Sequence, residues 1–234
     1  MANFKPINKN QHQTLKVKAD PSYAHSAKSH IVPVSVFELP QVQAEYPIVF
    51  IKDAETGQFH LVALLGLKPQ ENLFSSKSGW AADYVPQTLV NYPFVLSSSP
   101  EQPNNFVVGI DVDSPTISDN EGESLFEANG EQTPFLTQVT ERLAQGNAQI
   151  EATQKFIQTM TDKNLLSSQS LTIKPSNGEE FNVTGLYSIN EDVFKDLSDS
   201  DFLDLKNTGF LTAIYSCFFS RQRISKLVEL LNSK

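Results

Sequence analysis

Asp111 and Asp113 are residues whose types and spacing could do chemistry. They close a strand predicted over Phe106 to Val112 (FVVGIDV), where alternation turns both carboxylates to one face and a divalent cation could bridge them. Sugar-nucleotide transferases hold a metal with the same Asp-x-Asp pattern. Pro115 and Thr116 break the calcium-loop pattern, and aspartates before a proline also build ordinary turns. The pair therefore has two readings: a metal site completed by His60 or a neighbouring acid, which would make the chain a metal-assisted, transferase-like enzyme, and a plain turn.

A second concentration runs from Trp80 to Phe94 (WAADYVPQTLVNYPF) and holds Trp80, Tyr84, Tyr92 and Phe94 beside Pro86 and Pro93. Rings next to prolines make rigid amphipathic surfaces that suit extended peptides or sugars. The same residues can cap a sheet as core, in which case each buried tyrosine hydroxyl needs a partner.

Nucleophilic catalysis needs a base within reach of a serine or cysteine. Of His12, His25, His30 and His60, only His60 falls inside a well-defined predicted strand, and Cys217 lies in IYSCFF at helical spacing, as a small buried apolar residue would. The chain has no G-x-S-x-G elbow, H-E-x-x-H helix, C-x-x-C pair or phosphate-binding glycine loop. No catalytic residue is assigned, and no cofactor is expected.

The elements that must position these residues follow from composition. The chain has 234 residues, 39% of them apolar, enough for a folded core. A net charge of −9 opposes nucleic acid and anionic membranes as partners. The apolar stretches at 60–67 and 210–219 are far shorter than the roughly 20 residues of a membrane span, so no membrane insertion is expected. The N-terminus, MANFKPINKNQHQ, has no apolar signal core, and with a single cysteine the expected location is the cytoplasm.

Residues 1–30 carry five lysines against Asp20 alone and read as a basic, loosely packed arm. No Lys or Arg lies between Lys77 and Arg142, whereas acids from Glu101 to Glu131 cluster there, so the arm has an acidic surface to lie on. Residues 31–234 read as a single domain, β-rich over 31–132 and helix-rich over 133–234. Ile48 to Ile51 and Phe59 to Leu67 flank KDAETGQ as a hairpin, and closely spaced prolines exclude long helices before residue 134. Thr133-Pro134 opens a helix to about Asp162, with Leu136, Leu143, Ile150 and Ile157 as its apolar stripe. A hairpin around Pro175 to Gly178 and short C-terminal helices complete an α+β fold, with a mainly antiparallel, loop-rich sheet covered by helices. Phe210 to Phe219 is apolar on more than one side; it lies either in the core or at a contact with another chain, such as a homodimer through the C-terminal helices.

Tyr46-Pro-Ile-Val-Phe50, Leu64-Leu-Gly-Leu-Lys-Pro-Gln-Glu-Asn-Leu-Phe74, Trp80 with Tyr84-Val-Pro86 and Tyr92-Pro-Phe94, Ile110-Asp-Val-Asp-Ser-Pro115 and Gly209-Phe-Leu-Thr-Ala-Ile-Tyr215 resemble the SapC family of bacterial proteins over residues 30 to 232. The resemblance implies a link to surface-layer export or to nutrient and peptide handling. Relatives labelled peptide transporter permease imply a membrane protein, which these apolar stretches are too short to support. Many relatives have His in the segment where this chain has Cys217, and the resemblance supplies no catalytic residues. The reading it favours is a non-enzymatic accessory protein that recognises a peptide or protein partner through Trp80, Tyr84, Pro86, Tyr92 and Phe94.

Overall fold

Closely spaced prolines keep the first half to short elements. In the computed structural model, which describes residues 3–98, 106–176 and 178–233, these are β1 (Phe4–Pro6), α1 (Lys9–His12), β2 (Lys16–Val17), β3 (Ile31–Pro33), α2 (Leu39–Val42), β4 (Ile48–Lys52), β5 (Phe59–Leu64), β6 (Ser75–Ser76), β7 (Gly79–Trp80), α3 (Gln87–Asn91), β8 (Phe94–Ser98), β9 (Phe106–Asp111), β10 (Ile117–Ser118) and β11 (Glu123–Ser124). Only Pro175 follows Pro134, and longer elements form: α4 (Pro134–Asp162), β12 (Leu166–Ile173), β13 (Phe181–Ile189), α5 (Glu191–Lys195), α6 (Asp199–Asn207), α7 (Phe210–Ser220) and α8 (Ile224–Asn232).

The strands pair antiparallel, and the fold is α+β as the sequence predicts. The predicted hairpin joins β4 to β5 with Phe50 opposite Leu61, and Asp53 holds its turn by accepting from the Thr56 N–H at 2.7 Å. These strands are the centre of a five-stranded sheet ordered β12-β13-β4-β5-β3. The hairpin of β12 and β13 also forms, with Ile173 opposite Phe181; Asn177, in its predicted turn, lies outside the described residues, as does Glu101 of the acidic run. A second sheet, ordered β1-β9-β8, stands apart from the first.

Within residues 1–30, read from sequence as a basic arm, two short strands are held by backbone pairing. β1 lies on β9, and β2 runs between β10 and β11, inside the acid-rich segment. Gly122 permits this approach: a Cβ there would stand 2.4 Å from the Val17 carbonyl oxygen. Electrostatic attraction brings the two segments together in the sequence reading, and strand hydrogen bonds fix them in the structure.

The five-stranded sheet and the β1-β9-β8 sheet each pack on a hydrophobic core of their own, and α4 serves both. Thr133 caps the helix by accepting from the Leu136 N–H at 3.3 Å, and Pro134 occupies the first turn, where its missing N–H costs nothing. Leu136, Val139 and Leu143 pack with Phe94, Ile110 and Leu125 on the second sheet. Phe156 and Met160, more than three turns further on, pack with Phe50, Leu65 and Ile214 in the first. Ile150 corrects the predicted stripe: it is 56% exposed, because the middle of α4 crosses between the cores and meets neither.

The C-terminal helices close the first core. Asn190 caps α5 by accepting from the Asp192 and Val193 N–H groups, and Ser198 caps α6 by accepting from the Asp201 N–H. On α7, Phe210, Ile214 and Cys217 are buried while Tyr215 and Phe219 are exposed, so the two sides of this apolar stretch have different environments. Buried Ser220 accepts from the Ile48 N–H at 3.0 Å and donates to the Cys217 carbonyl at 2.8 Å, fastening α7 to β4.

Gly146 gives a direct test of the continuity of α4. It sits in the helix interior, with nothing within 4 Å of a Cβ. Gly146→Ala is expected to raise stability by about 0.5–1 kcal/mol in urea unfolding, and a loss of stability would contradict an unbroken helix there.

Candidate functional site

The aromatic segment Trp80 to Phe94 is divided between the two sheets. Trp80 and Tyr84 sit at the first core, joined through buried Tyr46. The Trp80 indole donates to the Tyr46 hydroxyl at 2.7 Å, that hydroxyl donates to the Tyr84 carbonyl, and the Tyr84 hydroxyl donates to Glu38 Oε1 at 2.8 Å. Trp80 also stacks on Phe74 with ring centres 5.8 Å apart, and its edge meets Tyr23. Burial pushes the Tyr46 phenol up, and burial together with the bond to Glu38 does the same at Tyr84, so both remain protonated donors.

Glu38 is 6% exposed, and its carboxylate organises three segments. It accepts from the Ser35 N–H at 2.9 Å, the Tyr84 hydroxyl and the Gln87 N–H at 2.8 Å, the last at the start of α3. Pro86, which leads into α3, is buried. The sequence motif around Tyr84 therefore acts by holding α3 against the β3–α2 turn.

Tyr92 and Phe94 belong to the second sheet. The Tyr92 ring stacks on His25 at 4.0 Å, and its hydroxyl donates to Asp111 Oδ2 at 2.9 Å. Asp111, 4% exposed, also accepts from the Asn3 N–H at 2.8 Å and the Asp113 N–H at 3.3 Å. Asp113 accepts from the Asn3 side-chain amide at 3.0 Å. The two aspartates and Tyr92 thus meet around β1, whereas His60 lies on β5 in the other sheet. Among the described residues, no group of three or more His, Cys, Asp or Glu could hold a metal ion. Cys217 is fully enclosed, and burial pushes its thiol up to about 12, away from the nucleophilic thiolate.

Between the sheets runs a cleft of about 440 Å³, walled by β3, β5, α3 and β8 and floored by the middle of α4. Its polar lining is rich in amides, among them Gln58, Gln87, Asn91, Asn147, Gln149 and Gln154. Two bonds pin α4 to one wall: Ser35 Oγ to Gln149 Oε1 at 3.1 Å, and the Val36 N–H to Thr153 Oγ1 at 2.9 Å.

The other wall is an open strand edge. β8 is outermost in its sheet, and the Asp111 N–H donates to the Pro93 carbonyl at 2.9 Å, which sets the ladder so that alternate residues Val95 and Ser97 pair with β9. On the partner strand, the Val108 carbonyl opposite Leu96 instead accepts from the Ile7 N–H at 2.8 Å. The N–H and C=O of Leu96 therefore point away from β9. Val95 and Leu96 face opposite sides of the strand yet both line the cleft, so β8 meets it edge-on.

Sequence reasoning missed Glu38 and the cleft. The available signal was the amide run Gln145, Asn147, Gln149 and Gln154, which sits where the heptad stripe reaches exposed Ile150.

These features define an α+β protein in which one helix spans two of the antiparallel sheets, with a cleft at its middle. The chain belongs to the SapC family, whose model matches residues 7–227, nearly the whole length. No curated protein and no solved structure matches it. No helix among the described residues is long and apolar enough to cross a membrane.

The hydrogen-bond relay predicts a specific cost. Tyr46→Phe keeps the ring but leaves the Trp80 indole and the Tyr84 carbonyl without their partner, and is expected to lower stability by about 1–3 kcal/mol in urea unfolding. A neutral effect would show that the relay does not hold the segment.

Proposed function

We propose that this SapC-family chain is a binding or accessory protein, not an enzyme, and that it takes an extended peptide, free or as a segment of a partner protein, into the cleft along the edge of β8. The observation that carries this reading is the backbone of Leu96, unpaired among the described residues, in the wall of an amide-lined cleft. A strand edge gives an incoming peptide its main-chain hydrogen bonds, and flanking pockets select alternate side chains. Amide side chains on the opposite wall and floor supply donor and acceptor together, as a peptide group requires.

Within the aromatic segment, Phe94 lines the cleft, and Tyr84 and Pro86 set its α3 wall through Glu38. Trp80 and Tyr92 support these elements from behind. Family membership extends the reading to an accessory step in surface export or in nutrient and peptide handling, carried out in the cytoplasm.

Peptides selected from a random displayed library against the intact protein provide the test. Leu96→Pro removes the outward N–H while leaving the ladder to β9 intact, and is expected to weaken the selected peptides by about tenfold or more without changing the circular dichroism spectrum. Equal binding by the folded variant would overturn the β8 edge as the docking site. If the variant misfolds, peptides N-methylated at alternate residues decide on wild type: one register should lose affinity and the other keep it, whereas equal affinity in both overturns the proposal.

A further inference from the structure

A second recess, of about 320 Å³, lies on the far side of Phe94 and is enclosed by Tyr23, His25, Tyr92, Phe94, Phe135 and Arg142. Arg142 is the first cation after Lys77 in the sequence, and α4 carries its half-buried side chain into this recess. Its Nε–H donates to Asn91 Oδ1 at 2.7 Å, which fixes the guanidinium plane. Among the described residues, no carboxylate lies within ion-pair distance of it. The two terminal nitrogens are thus free to form a fork.

The second unmet group is His25. Its Nε2 is buried with no hydrogen-bond partner among the described residues, and its ring, held flat against Tyr92, forms one wall of the recess. Burial pulls both the His25 imidazole and the Arg142 guanidinium down, and Asp20 and Tyr23 at the recess offset this only in part.

Charge and shape narrow the ligand. Asp20 lines the recess, but its carboxylate already accepts from the Ser22 N–H and hydroxyl and from the Ala24 N–H. Lys18 and Glu123, also at the recess, offset one another in charge. Against Asp20, Arg142 leaves the four charges at the recess balanced, so a monoanion there is less opposed than a dianionic phosphate. The remaining walls, Val90, Phe94 and Phe135, are apolar.

We propose that this recess binds a small carboxylic acid with an apolar or aromatic body, its carboxylate held by the terminal nitrogens of Arg142 and its body packed against Phe94 and Phe135. This site is separate from the peptide cleft and stands or falls without it.

The test uses the intact protein and 3-phenylpropionate as probe, followed by calorimetry and by the fluorescence of Trp80, whose ring contacts Tyr23 at 5.5 Å. Saturable binding is expected. The neutral amide, 3-phenylpropanamide, and the Arg142→Gln variant should each bind at least about tenfold more weakly, with the variant's melting transition retained. Absence of saturable binding, equal affinity for acid and amide, a response to inorganic phosphate alone, or a folded Arg142→Gln that binds like wild type would each overturn the proposal. If Arg142→Gln does not fold, the acid-against-amide comparison on the wild-type protein decides.

Discussion

A helix of 29 residues, about 44 Å long, packs its two ends into different hydrophobic cores, and the arrangement of the rest of the molecule depends on that span. Its start is fixed by the Thr133 cap and Pro134, and its end by a chain reversal in which the Leu165 N–H donates to the Met160 carbonyl at 2.8 Å. Neither end can shift without unpacking a core. The middle, which no core claims, must therefore bridge a gap, and the gap is the cleft.

The span also explains why the polar chemistry gathers where it does. Apolar residues close the cores, so the polar side chains that line the cleft fall on the middle turns of α4 and on α3 opposite. Asn91 illustrates the economy: as part of α3 it lines the cleft, and its side chain holds Arg142 in the recess beyond. Phe94 likewise separates the two spaces and lines both. Buried Glu38 fixes this wall from behind through the Tyr84 hydroxyl and the Gln87 N–H.

Much of the fold was legible because it rests on local signals. The β4–β5 hairpin, the β12–β13 hairpin and the Thr133-Pro134 start are all set within a few residues, and turn composition, periodicity or cap chemistry reads them directly. Ile150 escaped that reading because a seven-residue stripe cannot say that a helix changes cores partway along. Residues 3–30 escaped it because a two- or three-residue strand has no period, and its pairing with β9, β10 and β11 lies about a hundred residues away. Of the candidate site, the sequence displayed the rings and the aspartates but not their partners. Tyr46, Glu38, Asn3 and His25 come from distant segments, and only folding brings them to Trp80, Tyr84, Asp111 and Tyr92.

The central claim, that the edge of β8 is an unpaired strand facing the cleft, is most directly tested by amide hydrogen exchange followed by NMR. In the free protein, Val95 and Ser97, paired with β9, should exchange slowly and Leu96 quickly; a selected peptide should then protect Leu96 and leave Val95 and Ser97 as they were. A Leu96 amide already protected in the free protein, or one still unprotected when the peptide is bound, would contradict the account.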